Sequence, residues 1–292
     1  MTLTLDIVLS GLVLGGMYAL IALGLTLQYG IARIMNLSYG EFLVAAAFAA
    51  LFLYTGMAVN PVIGLLVVVP ASFVGNWLLY QVVLMPLVAR AQNQGMLEVD
   101  SILGTFGVLF VIQGVMLLTF GGSLQSYSYW SVPVHILGTT LALNRILALV
   151  FAVIIGLALY LLLTRTRYGT ALRAVAVDPA AAQLSGIDIR AASALAFATG
   201  GAIAGAGGVL ISMFLTFSAA SGVVFTMKAL IIVIMGGVGN LLGALIAGLL
   251  LGVSETAVAR LVDPGLTIAV TYALFLSVLL WRPTGLFGRP AR

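Results

Sequence analysis

Few side chains in this sequence can do chemistry, and they sit in a few places. Four arginines, Arg165, Arg167, Arg173 and Arg190, are a third of the twelve basic residues. They gather in one polar segment, residues 164–190, between two long apolar runs. Glu41 stands with Asn36 and Ser38 in MNLSYGE (35–41) and is the only acid between Asp6 and Glu98. A carboxylate near lipid is costly, so it must face the bundle, water or a partner. On one reading the segment lines or gates a translocation path. On the other it is a turn at the membrane surface, with Asn36 or Ser38 capping the next helix. Gly236, Gly237, Gly239 and Asn240 make a second interruption. It reads either as a hinge or pore-lining break or as a tight turn between packed helices, since glycine permits both. The flanks echo each other: LTLQYGIARIM (25–35) and FTMKALIIVIM (225–235) share Thr, Ile, Ile and Met in register. Paired breaks in two halves of a membrane chain point to a transport site.

Other chemistry is excluded or weak. The chain has no cysteine, which removes disulfides, thiolate metal sites and cysteine nucleophiles. Its one histidine, His135, argues against a metal site and reads as a solvated loop residue. There is no P-loop, G-x-S-x-G or H-E-x-x-H motif. The chain therefore reads as a non-enzyme that holds no metal or cofactor. Lys228, the only lysine, lies about 12 Å along a helix from Gly236. It is expected to snorkel to the outer interface; the alternative is contact with a substrate carboxylate or a docking protein.

Composition dictates the elements that carry these residues. The chain is 63% hydrophobic and 7% charged, against about 25% charged for soluble domains. Lipid must cover so much apolar surface. The expected fold is all-α: one transmembrane domain, 1–292, forming a polytopic helical bundle of eight or nine spans. Apolar runs fall near 5–29, 38–56, 62–85, 99–120, 143–163, 191–214, 225–236, 240–259 and 265–281. The seventh is too short to cross alone and reads as a half-helix or re-entrant segment. The first run lacks the basic flank of a signal peptide and is expected to remain as a helix. Lys and Arg in short loops mark the cytoplasmic side. Arg33, Arg90, the 165–190 cluster, Arg282, Arg289 and Arg292 fall on one side if nine segments alternate. That puts the N-terminus outside and the C-terminus inside. Arg145 breaches the pattern and is expected to snorkel. The opposite loop, 121–140, carries the interfacial aromatics Tyr127, Tyr129 and Trp130.

Within 164–190, Asp178-Pro179 can start a helix as N-cap and N1, and Gly186 can end it. Ala180, Ala181 and Leu184 give that short helix a small apolar face that suits a partner's groove. A second helical stretch, 169–177, precedes it. Small residues spaced by four in GALIAGLLLG (243–252) suit close helix packing, within the bundle or against a second membrane subunit.

Four ordered motifs then resemble one family, the permease subunits of branched-chain amino-acid ATP-binding-cassette importers. They are MNLSYGE (35–41), YGTALRAVAVDPAAAQLSGID (168–188), GGVGNLLGALIAGLLLGVSE (236–255) and RPTGLFGR (282–289). The likeness covers essentially the whole chain. It implies a second homologous permease, two ATP-binding subunits that hold the ATP, and a periplasmic solute-binding protein. It implies a bacterial inner membrane, with the N-terminus periplasmic. The helix near 178–186 would be the coupling helix, with Arg173, Asp178, Ala181, Gln183, Leu184 and Gly186 at the ATPase contact. One departure stands out: many such importers carry Glu-Ala-Ala four residues before the glycine, where this chain has Ala180-Ala181-Ala182. Docking would then rest on shape. The resemblance implies branched-chain or related amino acids as cargo, with urea, amides or other small polar solutes as the alternative. An ion-coupled secondary transporter would need intramembrane acids. Glu41 and Glu255 are the only ones available, and the sequence shows no partner for either. Neither that class nor a passive channel needs a docking helix.

Overall fold

The computed structural model describes residues 2–91, 93–136 and 139–288. Arg289 and Arg292, assigned above to the basic side, lie outside the described residues. An apolar chain in lipid must satisfy its backbone within each segment, and helices do so. The elements are α1 (Thr2–Ala32), α2 (Tyr39–Met57), α3 (Pro61–Leu79), α4 (Met85–Arg90), α5 (Gln94–Phe120), α6 (Leu143–Arg165), α7 (Arg167–Val177), α8 (Pro179–Leu184), α9 (Ile189–Ser212), α10 (Gly222–Gly236), α11 (Leu241–Leu261) and α12 (Thr267–Trp281). A π-turn over Tyr80–Leu84 joins α3 to α4, ahead of Pro86, whose missing N–H cannot continue an α-helical ladder. Among the described residues, eight helices are long and apolar enough to cross a membrane. The polytopic helical bundle expected from composition is therefore present.

One element departs from an all-helical reading. The loop after α5 contains a short antiparallel hairpin, β1 (Pro133–Ile136) with β2 (Thr139–Ala142), in the register Pro133↔Ala142. Its β-branched residues favour extended pairing. This hairpin marks one end of the bundle, called here the hairpin face. The other end carries α7 and α8 and is called the basic face. Arg33, Arg90, Arg165, Arg167, Arg190 and Arg282 flank helix ends at the basic face, and Arg173 lies within α7 there. Arg145 and Arg260 flank ends at the hairpin face, where Arg260 pairs with Asp6 at 3.3 Å.

Small residues decide what sits in the middle. α9 is the most enclosed helix, and its run TGGAIAGAGG (199–208) lets neighbours approach closely. A Cβ on Gly201 would lie 2.0 Å from Asn76, and one on Gly208 would lie 2.1 Å from the Leu43 carbonyl. α1 is the second interior helix, and its partner is α11. A Cβ on Gly252 would lie 2.2 Å from Gly15, and one on Gly248 2.7 Å from Ala19. The small residues of 243–252 pack closely within this chain, Gly243 on Gly236 of α10 and Gly248 and Gly252 on α1. α5, α6 and α12 turn most of their apolar surface outward.

Two connections between helices turn into the bundle, one from each face. After α1 reaches the basic face, residues 33–38 turn back inward before α2 begins. After α9 reaches the hairpin face, residues 213–221 turn inward before α10 begins. Phe217 there pairs with Gln125 of the hairpin-face loop by backbone bonds of 2.8 and 3.0 Å. α10 spans roughly 21 Å, too short for a hydrocarbon core of about 30 Å, which agrees with a half-helix.

Candidate functional site

The inward turn 33–38 survives inside the bundle because side chains satisfy its backbone. Asn36 Oδ1 accepts from Ser38 N at 3.1 Å and from the Ser38 hydroxyl at 2.7 Å. Asn36 Nδ2 donates to Gln28 Oε1 at 3.0 Å, and Gln28 Nε2 donates to the Phe197 carbonyl at 2.8 Å. Leu37 N donates to Thr105 Oγ1 at 3.1 Å. Asn36, Ser38 and Glu41 are all fully buried. Ser38 occupies the N-cap position of α2 but makes no side-chain capping bond. The segment is therefore no solvated surface turn. Its polar groups are spent on holding non-helical backbone within protein.

The start of α2 meets the start of α10. Gly40 N donates to Thr226 Oγ1 at 2.8 Å, and that hydroxyl donates to the Leu37 carbonyl at 3.2 Å. The backbones nearly touch: a Cβ on Gly40 would lie 2.0 Å from the Gly222 carbonyl oxygen. Glu41 lies over Gly222, where an added Cβ would meet its carboxylate at 2.3 Å. Both carboxylate oxygens are buried without a hydrogen-bond partner. The N-termini of α2 and α10 converge there, and their positive dipole ends favour a negative charge that burial disfavours. Tyr39 anchors the junction to α1, its hydroxyl donating to the Ile21 carbonyl at 2.7 Å.

Gly236, Gly237, Gly239 and Asn240 lie elsewhere, in the turn between α10 and α11 at the basic face. Gly237 (φ +100°) and Gly239 (φ +78°) adopt conformations that favour glycine. Asn240 Oδ1 accepts from Gly243 N at 3.0 Å and caps α11. The chain after α12 folds over this turn, with Leu286 N bonding the Met235 carbonyl at 2.8 Å. The structure thus does not bring this glycine turn together with Glu41. The 33–38 turn and the start of α2 meet the start of α10 instead, a pairing the sequence comparison of flanks did not find, while Gly239 packs on Gly30 of α1. The run FSAASG (217–222), small and polar between apolar stretches, was the available signal.

Lys228 does not snorkel. α10 starts inside the bundle, so Lys228 is held among helices, its side chain 16% exposed. Its Nζ donates to Glu255 Oε2 at 2.8 Å and to the Tyr18 hydroxyl at 2.5 Å. Tyr18 donates to the same carboxylate oxygen at 2.9 Å, and the Thr271 hydroxyl donates to Glu255 Oε1. Glu255, which showed no partner in the sequence, is thus fully engaged. This network ties α1, α10, α11 and α12 and makes Glu255 a structural acid.

The loop between α6 and α9 folds as its residues require. Asp178 Oδ1 accepts from Ala180 N at 2.9 Å and Ala181 N at 3.1 Å, capping α8, with Pro179 at its first turn. Gly186 closes the helix at φ +81°, and Ile187 N bonds back to the Ala182 carbonyl at 3.1 Å. Ala182 is buried, whereas Ala180, Ala181, Gln183 and Leu184 are exposed. Leu184 is 91% exposed and Val177 78%, so an apolar face points away from the bundle. Arg173 is exposed on α7 beside it. Tyr168 fixes α7 to α9 through Thr199 Oγ1 at 3.0 Å, and burial pushes its phenol up from the ordinary value.

Residues 7–279 match the family described as branched-chain amino acid transport system, permease component. The chain belongs to this family. The high-affinity branched-chain amino acid transport system permease protein LivH of Escherichia coli (strain K12) is 29% identical over 96% of this chain and 94% of its own length. The corresponding protein BraD of Pseudomonas aeruginosa is 28% identical with the same coverage. A probable LivH of Methanocaldococcus jannaschii is 27% identical over 95% of this chain and 90% of its own. No solved structure matches the chain. This permease is a multi-span membrane transport component, and its relatives are described as permeases, not as catalysts.

Proposed function

We propose that this permease is the translocating subunit of an ATP-driven importer for branched-chain or related amino acids. It pairs with a second homologous permease, two ATP-binding subunits that hold the ATP, and a solute-binding protein that delivers the cargo. It sits in a bacterial inner membrane with the basic face cytoplasmic and the hairpin face, including the N-terminus, periplasmic. The positive-inside rule supports this orientation. The observation that carries the reading is the meeting of the α2 and α10 N-termini inside the bundle, reached by inward-turning chain from opposite faces, a geometry like that of transport sites. The gate is the junction of Asn36, Ser38 and Glu41 with Gly222 and Thr226. The glycine turn Gly236, Gly237, Gly239 and Asn240 is the hinge that lets α10 move against α11.

Energy enters at α8. Its exposed Ala181 and Leu184, framed by Arg173, Asp178, Gln183 and Gly186, dock in a groove on the ATP-binding subunit. Because α7 packs on α9, which lines the gate at Phe197, motion of α8 reaches the gate through rigid helices. The test is a cross-link. Leu184→Cys in this cysteine-free chain should cross-link to a cysteine in the ATPase groove, with a yield that changes on adding ATP. No cross-link in an assembled, ATP-hydrolysing complex would remove α8 from the coupling path.

A further inference from the structure

Arg145, whose position looked like a snorkelling breach of the charge pattern, lines two adjoining cavities at the hairpin face. One, about 450 Å³, lies between the hairpin-face loop, the start of α6 and residues 213–216. The other, about 260 Å³, lies between α1, α11 and the same 213–216 stretch. Arg145, Phe214 and Leu215 belong to both, so the cavities meet at the guanidinium-bearing residue.

The charges around Arg145 do not balance. Glu255 is the only carboxylate lining either cavity, and it is already engaged by Lys228, Tyr18 and Thr271. Arg260, which lines the smaller cavity, has Asp6 as its counterion. Arg145 has no salt bridge among the described residues. It is half-buried, so its charge is only partly solvated. Tyr127, on the larger cavity's wall, stays a neutral hydroxyl: burial pushes its phenol up, and it bonds Ser212 Oγ at 2.8 Å. Beside Arg145 stands Asn144, 4% exposed. Its Nδ2 donates to the Met213 carbonyl at 2.9 Å, while its Oδ1 is buried with no donor. Leaving such an acceptor unpaired is costly. An uncompensated cation and an apolar wall from Met213, Phe214 and Leu215 therefore share one cavity, and an unpaired acceptor is enclosed in its lining residue Asn144.

We propose that Arg145 and Asn144 form an entrance subsite of the permease for an aliphatic α-amino acid. The guanidinium takes the carboxylate in a bidentate pair. A small turn of Asn144, whose Oδ1 is enclosed, lets that oxygen accept from the ammonium, and the Met213–Leu215 wall takes the side chain. The subsite rests on the transport reading above and narrows it. It favours carboxylate-bearing cargo over urea or amides, so selectivity is partly in the permease itself. Its place on residues 213–216 puts the cargo at the stretch that leads into α10 and the Glu41 junction.

The test uses Ser128→Cys, at the cavity rim, in the complete transporter reconstituted without its solute-binding protein. A membrane-impermeant maleimide reports access, and L-leucine, leucinamide and 4-methylpentanoate are the competing probes. L-Leucine should slow labelling, 4-methylpentanoate should do so more weakly, and leucinamide should not. Adding Arg145→Gln should raise the half-protecting leucine concentration, read against that variant's own ligand-free rate, about tenfold or more, as loss of a charge-assisted pair requires. Arg145→Lys should fall between. Equal protection by leucine and leucinamide, no protection by leucine, or an unchanged value in Arg145→Gln would each overturn the subsite. Uptake by the same preparation with binding protein and ATP separates the failures. Uptake without protection removes the subsite alone; no uptake removes the transport reading beneath it.

Discussion

Gly40→Ala should cripple transport while leaving the protein in the membrane. The added methyl would sit 2.0 Å from the Gly222 carbonyl oxygen and 2.6 Å from Thr226 Oγ1, where ordinary contact begins near 3.4 Å. The nearest obstacle is backbone, so no rotamer relieves it. α2 and α10 must part by more than an ångström, or one must tilt. Overpacking of this kind costs typically about 1–3 kcal/mol. If the junction must re-form in every cycle, that cost falls on one state of the gate. The equilibrium then shifts by a factor of roughly 5–150. The same change at Gly107 of α5 meets nothing within 4 Å and is the matched control. The assay is ATP-dependent leucine uptake in proteoliposomes holding equal amounts of inserted protein. Uptake should fall at least about fivefold for Gly40→Ala and hardly change for Gly107→Ala. Full uptake by Gly40→Ala would show that α2 and α10 need not meet, and the gate assignment would fail.

Glu41→Gln should lower uptake yet leave the melting midpoint in detergent unchanged or raised. The carboxylate makes no hydrogen bond that could be lost, and a neutral isostere is cheaper to bury; a clear fall in the midpoint would contradict this. Lys228→Met should destabilise by about 3–5 kcal/mol, because it strands Glu255 without its cation. Adding Glu255→Gln should restore part of the loss, read by thermal inactivation of the purified protein; no recovery in the double variant would argue against the pair. Gly186→Val should weaken pull-down of the ATP-binding subunit more than Ala180→Glu. The first forces a β-branched residue to φ +81°, whereas the second falls on an exposed position; the reverse order would move the docking surface off α8.

Much of this was legible from one-dimensional features. The spans follow from apolar run length, and the α8 cap and stop follow from Asp178-Pro179 and Gly186, because both are local. The short α10 was legible for the same reason. Long-range pairings were not legible. Which segments meet depends on how α2, α9 and α10 stack, and the apparent echo between 25–35 and 225–235 pointed to the glycine turn in place of the start of α10. Lys228 looked like an interfacial residue because distance along a helix says nothing of where that helix begins. Glu255 and Arg145 likewise take their meaning from neighbours far off in sequence, Tyr18 and Lys228 in one case and Met213–Leu215 in the other.

The most direct test of the account is uptake by the reconstituted assembly. This permease, its membrane partner, the ATP-binding subunits and the solute-binding protein would be placed in liposomes with ATP inside. Radiolabelled L-leucine should accumulate against its gradient only when ATP, hydrolysis-competent ATP-binding subunits and the binding protein are all present, and imposed proton or sodium gradients should not replace them. Accumulation driven by an ion gradient with this chain alone would contradict the account and make it a secondary transporter.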